Sequence, residues 1–203
     1  ASMIRIGALP VELKEIQSQV VGAQLGQDAI QTSLLAGAIG FALVVIFMLI
    51  FYRLPGVAAS IALVFYLGLM LVALNGLNIT LTLPGVAGII LNIGMAVDAN
   101  VIIFTRIKEE LAKGKSVQTS IKLGFEKALS AIIDGNVTTL IAAFVLYIKG
   151  SGTIRGFATT LALGIILSMF TALYVTKYIL KAMYSLGVDD VKYFGVEKPR
   201  RQI

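Results

Sequence analysis

Five apolar runs limit what this chain can become. They cover roughly residues 33–52, 55–74, 83–104, 131–148 and 157–180. Each is close to the ~20 residues that carry a helix across a ~30 Å hydrocarbon core at 1.5 Å per residue. In that medium a single segment must satisfy its own backbone hydrogen bonds, so the expected fold class is an all-α membrane protein with five transmembrane helices. Composition agrees. The chain is 58% hydrophobic and 14% charged, with a mean hydropathy of +0.91, whereas soluble domains are about 45–50% apolar and about 25% charged.

The turns at 52–56, 75–82 and 149–156 are short and predict antiparallel neighbours. The connection 105–130 is longer, charged and amphipathic. Ile107, Leu111, Val117, Ile121, Leu123 and Phe125 fit one face of a surface helix pair broken at Gly114. Residues 1–30 read as the end of an external domain and its connector, with Pro10 opening a short element over 11–16. Residues 31–182 form the transmembrane domain and 183–203 a tail or linker.

Basic residues set the orientation. Thirteen of the 17 lysines and arginines fall on one side: Arg53, six in 106–127 and six in 177–201. Arg5, Lys14, Lys149 and Arg155 fall on the other. The positive-inside rule places the thirteen in the cytoplasm, so the N-terminus is expected outside and the C-terminus inside. An odd number of spans starting outside implies a preceding span and external domain beyond this sequence. The net charge of +6 then reads as topology and contact with anionic lipid headgroups, not as nucleic-acid binding.

The chain has neither Cys nor His. Thiolate chemistry, disulfides, and the commonest general base and metal ligand are absent. No P-loop, nucleophile elbow or triad is visible. The expectation is a protein that is not an enzyme and holds no metal or cofactor.

One ionisable group, Asp98, interrupts the run 83–104. On insertion scales an acid at depth costs roughly 2.5–3.5 kcal/mol, so such a group usually serves an ion path, a proton relay or a buried pair. Gly85, Gly88 and Gly94 are candidate helix-packing positions, because glycine lets helices approach closely. With Asn92, Ala96 and Ala99 they suggest that Asp98 faces protein. Asp98 lies eight residues, ~12 Å, from Arg106; Asp134 lies seven, ~10 Å, from Lys127. The two acids are thus expected at similar depth, where a proton or cation could sit between them. Asn100, Asn136, Thr138 and Thr139 complete the candidate ion-coupling set. The plainer readings stand beside these: Asp98 or Asp134 hydrogen-bonded to a neighbouring helix, and Thr138 and Thr139 as packing hydroxyls.

Several strings together carry a family resemblance. GMAVDANVIIFTRIKEE at 94–110 resembles the signature span of the SecD side of the SecD/SecF protein-export family. GALP at 7–10 and VGAQLG at 21–26 resemble the segment that joins its external domain to its second span, and DGNVTTLIA at 134–142 resembles its fifth span. EKPRRQI at 197–203 is similar to a SecD-to-SecF junction. Where family members often carry an acid, this chain has Thr105. The resemblance implies five spans of a six-helix half of the resistance-nodulation-division type, with Asp98 as the ion-responsive acid. It implies SecF as a separate or fused partner, the SecYEG channel, YajC and the translocating polypeptide as associates, and H⁺ or Na⁺ as the coupling ion. The location implied is the bacterial inner (plasma) membrane, with the ion gradient promoting protein export. The alternatives are a small-molecule exporter of the same superfamily and a membrane scaffold without ion coupling.

Overall fold

The structure, a computed structural model, describes residues 23–187 and 191–195. The expectations for residues 1–22, including the short element at 11–16, lie outside the described residues. Everything long in the described chain is helical: α1 Ala23–Gly76, α2 Leu83–Ala112, α3 Val117–Lys149 and α4 Thr153–Phe170. A π-helical turn, Thr171–Val175, leads directly into α5, Thr176–Ser185, and a 3₁₀ turn follows at Val191–Phe194. Residues 23–30 belong to α1, where the sequence suggested a connector.

Four helical stretches among the described residues are long and apolar enough to cross a membrane. The first supplies two crossings. Its backbone breaks at Arg53 (φ 50, ψ −116), two residues before Pro55, which cannot continue a helix. A Cβ added at Gly56 would collide with the Met48 carbonyl, so the chain folds back tightly there. The limbs 23–52 and 54–76 are the first two expected spans. The chain is a multi-pass helical membrane protein.

Local signals explain the other boundaries. Thr82 caps α2 by accepting from the Gly85 N–H at 3.1 Å, with a proline in the first turn. Ser116 caps α3 by accepting from the Thr119 N–H. Gly114 takes φ 82 between these two helices, a conformation that favours glycine. No separate surface pair forms over 105–130. Instead α2 and α3 run on beyond the apolar runs 83–104 and 131–148 and turn at 113–116. Five of the six residues expected on the apolar face, Ile107, Leu111, Val117, Ile121 and Phe125, are buried in one cluster, whereas Leu123 is only half-buried and lies outside it. The segment stays helical because, beyond the apolar runs, this stripe still has an apolar partner.

The basic segments meet at one end of the bundle. Lys108 Nζ donates to the Phe51 carbonyl and Arg53 to the Lys192 carbonyl. Lys108 also lies 4.6 Å from the Tyr52 ring centre. The strongest feature there is Glu110, a fully buried carboxylate six residues beyond the run 83–104. Lys113, Lys127 and Lys115 donate to it at 2.8, 2.7 and 2.5 Å. Lys127 belongs to α3, so the cluster ties the extension of α2 to its neighbour. These hydrogen bonds, led by that from Lys113, hold the Glu110 carboxyl well below the usual carboxylate range.

A depressed folded-state pKa means that the stabilisation is complete above the unfolded value of about 4.3 and declines as pH falls below it. Glu110→Gln should therefore lower the unfolding temperature of the detergent-solubilised full-length protein at pH 7. The deficit should shrink progressively below about pH 4.3. A deficit of equal size at pH 7 and pH 3 would show that the ion cluster is not its source.

Candidate functional site

α2 has two unlike faces, and α4 determines which is which. Gly85, Gly88, Asn92, Ala96, Ala99 and Ile103 recur at helical spacing and are all buried. A Cβ on Gly88 would lie 2.7 Å from Thr160 Oγ1, and one on Gly156 would lie 2.5 Å from Thr82 Oγ1. A Cβ on Gly164 would overlap the Asn92 amide. Thr160 donates to the Phe157 carbonyl at 2.9 Å and lies 3.2 Å from the Gly85 carbonyl; Asn92 Nδ2 donates to the Thr160 carbonyl at 3.1 Å. This is close approach through small residues, secured by buried polar groups, as membrane helices pack without a hydrophobic drive between them.

Asp98 lies on the other face. It is exposed among the described residues, as is Gly94 one turn earlier. Of the small residues that suggested a protein-facing acid, Gly85, Gly88, Asn92 and Ala96 line a different side of the helix, whereas Gly94 and Ala99 border the recesses beside Asp98. At Gly94 an added Cβ would meet nothing within 4 Å, so it is not a packing contact in the described chain, unlike Gly85 and Gly88.

Two recesses flank the carboxylate. One, of about 360 Å³, lies against the limb 23–52 and is lined by Leu43, Val44 and Phe47 with Gly94, Val97 and Val101. The other, about 130 Å³, lies against α3. Asp98, Met95, Ala99 and Ile102 form its α2 wall, and Ala131, Ile132, Gly135, Asn136 and Thr139 its α3 wall. That is room for several waters, and Asp98, Asn136 and Thr139 give them polar partners.

The structure thus brings three candidates together and separates the others. Asn136 Nδ2 donates to the Ile132 carbonyl at 2.7 Å, and Thr139 Oγ1 to the Gly135 carbonyl at 3.1 Å. Asp134 is exposed, accepts from Ser130 Oγ at 3.3 Å and is not among the lining residues. Thr138 donates to the Asp134 carbonyl at 2.9 Å and is likewise outside the lining. Asn100 sits two residues from Asp98, about 200° around the helix, and is buried. It accepts from Thr176 Oγ1 at 2.9 Å and donates weakly to the Ala96 carbonyl. Gly135 and the Leu43–Phe47 stretch were not singled out from sequence, because apolar and small residues in a span carry no signal of which helix they will face.

The chain matches the family described as protein export membrane protein SecD/SecF, C-terminal, over residues 6–186. It belongs to the SecD/SecF family. It is 56% identical over 200 residues to protein translocase subunit SecD of Acidaminococcus fermentans, covering 97% of this chain and 48% of that protein. It is 53% identical to the SecD of Dictyoglomus turgidum, over 93% of this chain and 47% of the relative. Against SecDF of Bacillus subtilis it is 46% identical, over 98% of this chain and 27% of that one. Among solved structures it resembles SecDF, a translocon-associated membrane protein from Thermus thermophilus, with a TM-score of 0.80 and 40% identity over 82% of this chain and 23% of the other. SecDF in its super-membrane-facing form gives 0.74 at the same identity, over 79% and 22%. The chain spans about half the length of the first two SecD relatives. The all-α membrane fold expected from the apolar runs is the fold of this family's membrane region.

The two faces of α2 respond oppositely to an added methyl group. Gly164→Ala drives a Cβ into Asn92 and should cost about 1–3 kcal/mol, the range for overpacking. Gly94→Ala meets open space within the chain and should be close to neutral for its fold. Thermal unfolding of the two full-length variants checks this; equal losses would contradict the assignment of faces.

Proposed function

We propose that this chain is the ion-coupling membrane part of a Sec protein-export accessory subunit, and that it works without catalysing a covalent reaction. The observation that carries the proposal is Asp98, a carboxylate at depth on the open face of α2, beside a small cavity lined by Asn136 and Thr139. An acid so placed can take up and release H⁺, or hold Na⁺, as the face beside it opens and closes. Transfer of one charge across 100 mV is worth roughly 2.3 kcal/mol, enough to bias a two-state element about fiftyfold. The names of the relatives, protein translocase subunit SecD and SecDF, support protein export as the work performed.

The partner of the open face is then the equivalent half from SecF, on a separate chain or fused as in the SecDF relative. The assembly acts beside the SecYEG channel, with YajC as a further associate and the translocating polypeptide as its load. The basic end of the bundle faces the cytoplasm, a placement that the distribution of lysine and arginine supports. Asn100, Asp134 and Thr138 then act indirectly, through packing, while Asp98, Asn136 and Thr139 face the ion.

In inverted vesicles carrying the complete SecD–SecF assembly, Asp98→Asn should reduce gradient-driven export to the level seen without a gradient, while assembly stays intact. Undiminished export would overturn the coupling role. Orientation is checked by single cysteines at Ser116 and Ser151 in this cysteine-free chain. An impermeant thiol reagent added outside intact cells should label the second and not the first. The reverse pattern would invert the topology.

A further inference from the structure

We infer that the cleft between α3 and the π-helical turn with α5 is a binding site for one anionic phospholipid of the leaflet at the basic end. The cleft is about 360 Å³ and is lined by Phe125, Glu126 and Leu129 from α3, and by Leu173, Tyr174, Lys177, Tyr178 and Lys181 from the facing helix. It lies away from Asp98 and shares no lining residue with either recess beside it.

Its chemistry is graded with depth. Phe125 comes eight residues after the start of α3 and Lys177 eight residues before the end of α5, so both lie ~12 Å inside their helix ends. They meet there: Lys177 Nζ is 5.4 Å from the Phe125 ring centre, close enough for a cation–π contact that holds the ammonium over the cleft. Leu129 and Leu173 lie one turn deeper, and Lys181 one turn nearer the aqueous phase. An apolar floor beneath two ammonium groups suits an acyl chain beneath a phosphodiester. Tyr174 and Tyr178 are exposed at the mouth of the cleft, and tyrosine is enriched at membrane–water interfaces.

The π turn sets this arrangement. The Thr176 N–H bonds to the Thr171 carbonyl five residues back, and the Thr176 hydroxyl is buried against Asn100. One extra residue in a turn rotates all that follows by about 100°. With Thr176 and Leu180 buried inward, Lys177 and Lys181 are turned to the cleft. Neither lysine has a carboxylate partner among the described residues, in contrast to the lysines that enclose Glu110. Two lysines against the single carboxylate of Glu126 leave the cleft at +1. That balance complements the −1 of phosphatidylglycerol and not a zwitterionic headgroup. Basic pockets between spans at the membrane surface bind anionic headgroups by this means.

The test uses the full-length protein with its partner subunit, reconstituted in phosphatidylcholine vesicles. These are doped in turn with diazirine-acyl phosphatidylglycerol, phosphatidylethanolamine or phosphatidylcholine, and photo-crosslinks are mapped by mass spectrometry. Phosphatidylglycerol should label the peptides spanning 125–129 and 173–181 at least about fivefold more than phosphatidylcholine, since one lysine near the surface contributes about that factor. Lys177→Gln with Lys181→Gln should bring the yield down to the phosphatidylcholine level. The double arginine variant should retain it, as should Lys149→Gln at the opposite end. Equal yields from the three lipids, preference for phosphatidylethanolamine through Glu126, an unchanged yield in the double glutamine variant, or a cleft sealed by a protein segment would each overturn the site.

Discussion

The distance between α2 and α4 fixes the azimuth of every side chain on α2. That distance is short because Gly88 faces Thr160 and Gly164 faces Asn92, with no room for a Cβ at either glycine. The hydrogen bond from Asn92 Nδ2 to the Thr160 carbonyl across the contact makes the register specific, since a slip would leave that buried amide N–H without a partner. With this face locked, Asp98 must lie on the other, against the limb 23–52 and α3. Asn100 carries the same constraint to the π turn through Thr176. The position of the acid is thus a consequence of packing on the opposite side of its own helix.

The two ends of the bundle are organised differently. At the basic end, Glu110 of α2 gathers three ammonium groups, two from the turn and one from α3. A lone buried carboxylate would be costly, but three hydrogen-bonded cations compensate for its desolvation. The cluster ties the extensions of α2 and α3 together beyond the apolar runs.

Much of this was legible in the sequence, and the rest was not for identifiable reasons. Spans follow from run length, and the hairpin at Arg53 follows from Pro55 after a short turn. The buried stripe Ile107, Leu111, Val117, Ile121 and Phe125 follows from helical spacing, although that spacing did not reveal that its helices continue the spans. Counting residues back to the nearest base gives depth, and on that ground Asp98 and Asp134 looked like a pair. It gives no azimuth. Gly135 and Thr139 face the cavity while Asp134 turns outward to Ser130. The Glu110 cluster had a weak signal, an acid three residues before Lys113, but Lys127 joins it only through the fold. The π turn has no sequence signature beyond the hydroxyls of Thr171 and Thr176.

The central claim is that Asp98 exchanges its proton or cation on an open face of α2 and independently of Asp134. Infrared titration of carboxyl bands in the intact SecD–SecF assembly tests it directly, with Asp98→Asn assigning the band. The account predicts a titrating band that is lost in Asp98→Asn and unmoved in Asp134→Asn. Absence of any Asp98 band that responds to pH or Na⁺, or a band displaced by Asp134→Asn, would contradict it.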